Sequence, residues 1–112
     1  MPVERAVFVA GPDGRYLDAN AAALELYGVS REQFLAREVG DFSGPYRDLS
    51  RRLWRQMAAT DEAMATGQAT IHRPDGTTIR VSFVRIARRP DGDFELELFA
   101  LGSGEEPRWS TT

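Results

Sequence analysis

Apolar and polar residues alternate along two long segments in the second half of the chain. Residues 78–86 and 94–101 carry apolar side chains at every second position, which is typical of strands with one buried and one exposed face. Three shorter segments, residues 6–10, 15–18 and 69–72, are also rich in apolar residues. The pattern therefore predicts five strands.

The tripeptide Pro-Asp-Gly occurs at residues 12–14, 74–76 and 90–92, each time between two predicted strands. Proline presets φ for the first turn position, aspartate bonds back to nearby backbone, and glycine adopts positive φ. We therefore expect three hairpins in which Gly14, Gly76 and Gly92 have structural roles. A generic loop at each position is the alternative.

The central part of the chain has helical signals. Asn20 is a good N-cap for a helix over residues 21–27, and Gly28 suits its left-handed C-terminus. Residues 30–33, Ser-Arg-Glu-Gln, form a capping box that begins a short helix through residue 37. A longer helix is predicted from about residue 45 to residue 66, with glycine after it.

The apolar residues of this long helix define the face that we expect to pack on the sheet. Helical spacing relates Tyr46, Leu49, Leu53, Met57 and Met64. Arg51, Arg52 and Arg55 lie largely off this stripe, so we expect a solvated basic face. Strands at both ends of the chain with helices between them indicate an α+β fold, in which helices cover one face of an antiparallel sheet.

The length and net charge of the chain limit the classes of function that fit it. A chain of 112 residues fits one domain, and a net charge of −3 gives no general attraction to nucleic acid or acidic membrane. No segment approaches the roughly 18 apolar residues of a membrane helix, and the first residues do not resemble a signal peptide. We expect a cytoplasmic protein with neither nucleic-acid nor membrane partners.

Cysteine is absent and His72 is the single histidine. These counts exclude disulfides, cysteine zinc sites, thiolate nucleophiles and multi-histidine metal sites. No serine or aspartate forms a recognisable catalytic constellation with His72, and most carboxylates fall in turns or on outward positions. We therefore expect no catalytic residues, no metal site and no enzymatic activity.

Two segments resemble the halves of a PAS domain. Residues 6–42, AVFVAGPDGRYLDANAAALELYGVSREQFLAREVGDF, are similar to its first half, with Asp13-Gly14, Asn20, Gly28 and residues 30–34 at the characteristic positions. Residues 73–102, RPDGTTIRVSFVRIARRPDGDFELELFALG, are similar to its final hairpin strands. The resemblance covers residues 5–102 and leaves residues 103–112 as a polar tail or linker.

This resemblance implies a five-stranded antiparallel sheet in the order 2-1-5-4-3, with helices enclosing a pocket on one face. It also implies a sensory or dimerisation role in signal transduction or transcription regulation, with an output domain or partner outside this chain. Many relatives end in an Asp-Ile-Thr-like motif, whereas residues 100–103 here are Ala-Leu-Gly-Ser. That departure puts relay into a C-terminal helix in doubt.

The resemblance also bears on cofactors. Covalent flavin adducts and thioester-linked chromophores both require a cysteine, so both are excluded. Heme-binding members typically use a histidine on the long helix, whereas His72 falls on the third strand and is expected to point away from the helices. Heme is therefore not expected, and a non-covalent flavin or metabolite remains open.

The pocket implied by the resemblance would lie between the long helix and the sheet. Its expected lining consists of apolar and aromatic residues: Phe8, Leu24, Tyr27, Phe34, Phe42, Leu53, Met57, Ile71, Ile79, Val81, Phe83, Leu96 and Leu98. The alternative is that these side chains fill a solid core. Only the hydroxyls of Tyr27 and Tyr46 stand out as polar groups for such a pocket.

The other face of the predicted sheet has an apolar patch. Its expected members are Val7, Val9, Val84, Ile86 and Phe99, all on outward strand positions. Exposed patches often mark interaction sites, and the residues before the first strand are too few for a covering helix. We expect a homodimer through this face; the tail with Trp109 or ordinary surface scatter is the alternative.

Three hypotheses follow. The first is a sensory module that binds a small molecule or flavin and changes its interface. The second is a ligand-free module for dimerisation. The third is a small cone-shaped α+β enzyme acting on an apolar substrate, although helices usually come first in that class.

Overall fold

The computed structural model describes residues 5–59 and 67–103. Within them, the elements in chain order are strands β1 (Ala6–Ala10) and β2 (Tyr16–Ala19), helices α1 (Ala21–Tyr27), α2 (Arg31–Leu35) and α3 (Arg47–Ala58), and strands β3 (Gly67–His72), β4 (Thr78–Arg88) and β5 (Phe94–Ser103). A short 3₁₀ helix, Gly44–Tyr46, precedes α3. Across the described ranges, no helix is long and apolar enough to span a bilayer.

The five strands form one antiparallel sheet in the order β2-β1-β5-β4-β3. This confirms the predicted α+β class and the predicted strand order. Most of the predicted tail lies outside the described residues, but Ser103 forms the end of β5.

The Pro-Asp-Gly turns close the three hairpins as predicted. Gly14, Gly76 and Gly92 all have φ near +90°, a region that favours glycine. In each turn the aspartate carboxylate accepts a hydrogen bond from the backbone N–H two residues later, at 2.9–3.0 Å. Hydrogen bonds and glycine conformations within each turn therefore determine where the chain reverses direction.

The caps of the first two helices also match the sequence. The Asn20 side chain accepts from the N–H groups of Ala23 and Val7, both at 3.0 Å, and joins α1 to β1. Gly28 ends α1 in the left-handed conformation with φ +70°. The capping box at Ser30 and Gln33 begins α2, which ends at Leu35 rather than residue 37.

The predicted inward face of α3 is confirmed only in part: Met57 packs against the core, but Tyr46 and Leu49 are exposed. Trp54 is its buried residue, at 8% exposure, whereas Leu49 is 45% and Leu53 is 54% exposed. The indole Nε1–H donates to the carbonyl of Gly11 at 3.0 Å, and the ring packs edge-on against Phe94. Because this bulky group takes the inward position, Tyr46 and Leu49 lie on the outside and Leu53 is half exposed. The predicted continuation to residue 66, with Met64, lies outside the described residues.

Arg51 is not on a solvated face. Its Nη2 lies 2.8 Å from a Glu38 carboxylate oxygen and 2.9 Å from an Asp41 carboxylate oxygen, and its Nε donates to the Val39 carbonyl at 3.1 Å. These contacts hold α3 against residues 38–41. The side chain is therefore part of the fold rather than of a solvated surface.

A β-bulge changes the outer face of the sheet. The register of β4 with β5 shifts between Phe83 and Arg85, so Ile86 pairs with the inward-facing Leu96. Ile86 packs against the core on the helix side, and its predicted place in the outer patch is wrong.

Candidate functional site

A cavity of about 270 Å³ lies between α3, residues 39–43 and the inner face of the sheet. Its walls are mainly apolar and aromatic. The lining comprises Phe8, Tyr16, Tyr27, Val39, Gly40, Phe42, Ser43, Ser50, Leu53, Trp54, Met57, Ala69, Thr70, Ile71, Phe83, Ile86 and Leu96.

The structure brings together part of the predicted pocket. Of the predicted pocket residues, those that line the cavity are Phe8, Tyr27, Phe42, Leu53, Met57, Ile71, Phe83 and Leu96. The others pack away from it: Phe34, Val81 and Leu98 are fully buried in the core, and Leu24 and Ile79 are partly buried against that core. The rings of Phe8, Tyr16 and Tyr27 pack around Phe34, which is fully buried.

Sequence reasoning missed several lining residues. Tyr16 was missed because β2 does not alternate regularly: its register with β1 shifts beside Leu17, so Tyr16 and Ala19, three residues apart, are both buried. Ile86 was missed because the bulge reverses its direction, and Trp54 because it interrupts the apolar stripe of α3. Tyr46, expected as a polar group of the pocket, lies outside the cavity and is exposed.

An aromatic cluster forms one wall. Phe8 on β1 makes edge-on contacts with Tyr16, Tyr27 and Phe34, at centroid distances of 5.4–5.8 Å. Tyr16 stacks on Phe34 at 4.2 Å, and Phe42 packs against Tyr27 at 4.9 Å. Edge-on and offset ring contacts of this kind are favourable beyond simple burial, so this wall is rigid and apolar.

Two hydroxyl groups interrupt the apolar surface. Tyr16 and Tyr27 hydrogen-bond to each other. Burial raises the pKa of both phenols, and the nearby Tyr27, Asp41 and Glu38 raise the pKa of Tyr16 further. Both tyrosines are therefore neutral at physiological pH.

Ser43 and Ser50 form a second polar contact at the cavity wall, where their hydroxyl oxygens lie 2.9 Å apart. The same two serines border an adjoining groove with Tyr46, Gln68, Ala69 and Thr70. The cavity is thus continuous with a more polar opening between the start of α3 and the edge strand β3.

His72 does not line the cavity. It is half-buried rather than fully exposed, and a side chain at Gly44 would meet its imidazole ring at 2.8 Å. Its backbone N–H donates to the Phe42 carbonyl at 2.8 Å. The observed role of His72 is thus packing beneath the 3₁₀ helix.

The outer face of the sheet carries both exposed apolar side chains and charged ones. Phe99 is 49% and Val84 is 45% exposed, whereas Val7 is half-buried and Val9 is buried. The ion pair between Arg5 and Glu97, at 2.7 Å, lies beside Val7, which pairs with Glu97. The exposed apolar part of the predicted patch therefore consists of Val84 and Phe99.

A family model described as the PAS fold matches residues 3–102. No curated protein matches the chain.

Solved structures show the same fold. A domain of a sensory box sensor histidine kinase/response regulator from Geobacter sulfurreducens is 23% identical, with a TM-score of 0.68 over 84% of this chain and 81% of that one. A PAS domain from Desulfitobacterium hafniense is 16% identical, with a TM-score of 0.74 over 88% and 94%. The PAS domain of the quorum-sensing receptor RpfR from Cronobacter turicensis, solved in complex with C12:0, is 13% identical, with a TM-score of 0.73 over 90% and 97%.

Proposed function

Because this chain belongs to the PAS-fold family, we propose that it is a sensory module that binds a small apolar molecule non-covalently between α3 and the sheet. The observation that carries the proposal is the cavity of about 270 Å³ with its aromatic wall. Ligand pockets are typically apolar with a few placed polar groups, as here. PAS domains are sensory modules and are generally not catalytic.

The volume favours a metabolite over a flavin. A cavity of about 150 Å³ binds benzene, so by proportion one of about 270 Å³ takes a ligand of about eleven non-hydrogen atoms. The fused three-ring system of a flavin, with its carbonyl and methyl groups, has more atoms than that. The C12:0 ligand of the Cronobacter structure, a twelve-carbon chain, is nearer to this size than a flavin is.

Native mass spectrometry and an absorbance spectrum of the purified protein test this proposal. We expect a retained, non-covalent adduct with the mass of a small organic molecule and no flavin or heme absorbance. A flavin spectrum would contradict the size argument. A ligand-free mass, unchanged when apolar compounds are added, would favour the alternative of an interaction module without a ligand.

Two leucines of α3 offer a matched pair of variants. Leu53 lines the cavity and Leu49 does not, although both are about half exposed. Leu53→Trp should fill the space and weaken binding, whereas Leu49→Trp should bind as the wild type does. If both variants bound the adduct equally well, the ligand would not occupy this cavity.

We also propose that the outer sheet face mediates homodimerisation. The exposed side chains of Val84 and Phe99 support this proposal, since large apolar residues grouped on one face are a frequent feature of interaction sites. Light scattering at tens of micromolar protein should then give twice the 12.5 kDa chain mass. Phe99→Glu should give the monomer mass, whereas Leu49→Glu on the opposite layer should not; a monomeric wild type would rule out this proposal.

A further inference from the structure

Tyr16 and Tyr27 are lining residues of the cavity that are both polar and almost completely buried. Their exposures are 6% and 3%. Each also carries a polar group that can donate one hydrogen bond and accept others. They lie on different elements, β2 and the last turn of α1, so the fold itself brings the two hydroxyls together.

The hydrogen bond between these hydroxyls uses only one of their two hydrogens. Whichever hydroxyl donates, the other keeps a hydrogen that this bond does not use. Among residues 5–59 and 67–103, each of the two hydroxyls is the side-chain hydrogen-bond partner of the other. An acceptor on a ligand in the cavity would take up this remaining hydrogen, and a hydrogen bond made out of contact with water is favourable.

The charges around the pair decide which acceptor fits. Among the described residues, neither an acidic nor a basic side chain lines the cavity. Glu38 and Asp41 lie near enough for their negative charges to raise the pKa of Tyr16. Arg51, which pairs with both carboxylates, is engaged outside the cavity. An anionic group would therefore lose its hydration without gaining a cation, which is costly.

We propose that the Tyr16–Tyr27 pair binds a neutral hydrogen-bond acceptor, such as a ketone, ester or amide carbonyl, on an otherwise apolar ligand. This inference rests on the proposed function, because it concerns the same cavity. It adds the polar chemistry of the ligand, which size and apolar lining leave undefined.

Three probes of one shape test the pair by isothermal titration calorimetry. They are 2-decanone, nonanoate and 2-methyl-1-decene, which differ only in the groups at one end of the chain. The ketone offers a neutral acceptor, nonanoate replaces the terminal methyl with a charged oxygen, and the alkene replaces the carbonyl oxygen with a CH₂ group. At about pH 8, where a carboxylate is fully ionised, the ketone should bind about three- to tenfold more tightly than the alkene and at least about tenfold more tightly than nonanoate.

Phenylalanine variants test whether the two tyrosine hydroxyls cause the tighter binding of the ketone. In Tyr16→Phe or Tyr27→Phe the remaining hydroxyl still has a hydrogen to donate, so ketone binding should change by no more than about twofold. The double variant should lose about three- to tenfold in ketone binding while its alkene binding stays unchanged. The unchanged alkene affinity shows that the cavity is intact. Tyr46→Phe, outside the cavity, is the matched control and should bind all probes as the wild type does.

The outcomes separate this inference from the proposed function. Equal binding of ketone and alkene, tighter binding of nonanoate than of ketone, or full ketone affinity in the double variant would overturn the role of the tyrosine pair while leaving the cavity as a binding site. If none of the three probes bound, both proposals would be rejected.

Discussion

Replacing Trp54 tests how α3 is attached to the sheet. Trp54→Phe keeps an aromatic ring but removes the Nε1–H that donates to Gly11 at 3.0 Å. The Gly11 carbonyl still accepts from the N–H of Gly14 at 2.9 Å, so no buried acceptor is left without a partner. The loss is therefore one hydrogen bond, about 1 kcal/mol, plus about 1 kcal/mol for the smaller ring.

The expected free energy of unfolding thus falls by about 2 kcal/mol for Trp54→Phe and by about 3–5 kcal/mol for Trp54→Ala, which also loses the contact with Phe94. At about 4 °C per kcal/mol for a chain of this size, Trp54→Phe should lower Tm by about 8 °C. Leu49→Ala, at a site 45% exposed, should cost less than about 1 kcal/mol.

Urea unfolding followed by far-ultraviolet circular dichroism measures these differences without relying on the tryptophan that is removed. Equal slopes with urea would show that each variant unfolds as the wild type does. The reasoning is refuted if Trp54→Phe lies within about 0.5 kcal/mol of wild type, or if Leu49→Ala costs as much as Trp54→Ala. The second result would mean that the leucine stripe faces the core after all.

Three further predictions concern the supports of the fold. Asn20→Ala should lower stability by about 2 kcal/mol in urea unfolding, because the Asn20 side chain accepts from two backbone N–H groups; Asn20→Asp, which keeps the acceptor, should cost less. Arg51→Ala should lower the free energy of unfolding by about 1–3 kcal/mol, and Arg51→Lys should recover only part of it, since a single ammonium nitrogen cannot take the separate positions of Nη2 and Nε; full recovery by lysine would contradict this. Above about pH 10 stability should fall, because the raised pKa of Tyr16 and Tyr27 in the folded state lets the unfolded state lose these protons first; the double phenylalanine variant should show a shallower fall in alkaline unfolding titrations.

The turns and caps could be predicted because their chemistry is local. Asp13 and Gly14 form a turn through bonds that reach two residues along the chain, and the Ser30–Gln33 box spans three. Such interactions depend on neighbours in sequence, so the residue types alone indicate the structure. The strand order, by contrast, came from the resemblance to PAS domains and not from any local pattern.

The sequence predictions were wrong where contacts between residues distant in the chain determine the structure. Helical spacing gave α3 a leucine stripe, but the hydrogen bond of Trp54 to Gly11, 43 residues away, determines which face is buried. Strict alternation placed Ile86 outward, but the bulge beside Phe83 depends on pairing with β5. Periodicity reports how polar each face is, and it does not rank one large anchoring side chain against several smaller ones.

The same distant contacts explain why the inner layer contains a cavity. Trp54 fixes one side of α3 to β5 and the first turn, while Arg51 fixes it to residues 38–41. Opposite the free side of the helix, the edge strand β3 presents the small residues Ala69 and Thr70, which cannot fill the space. Since both anchors hold α3 in place, the gap does not close by collapse. A ligand there would add apolar contacts without displacing the helix, and its binding would stabilise the folded state directly.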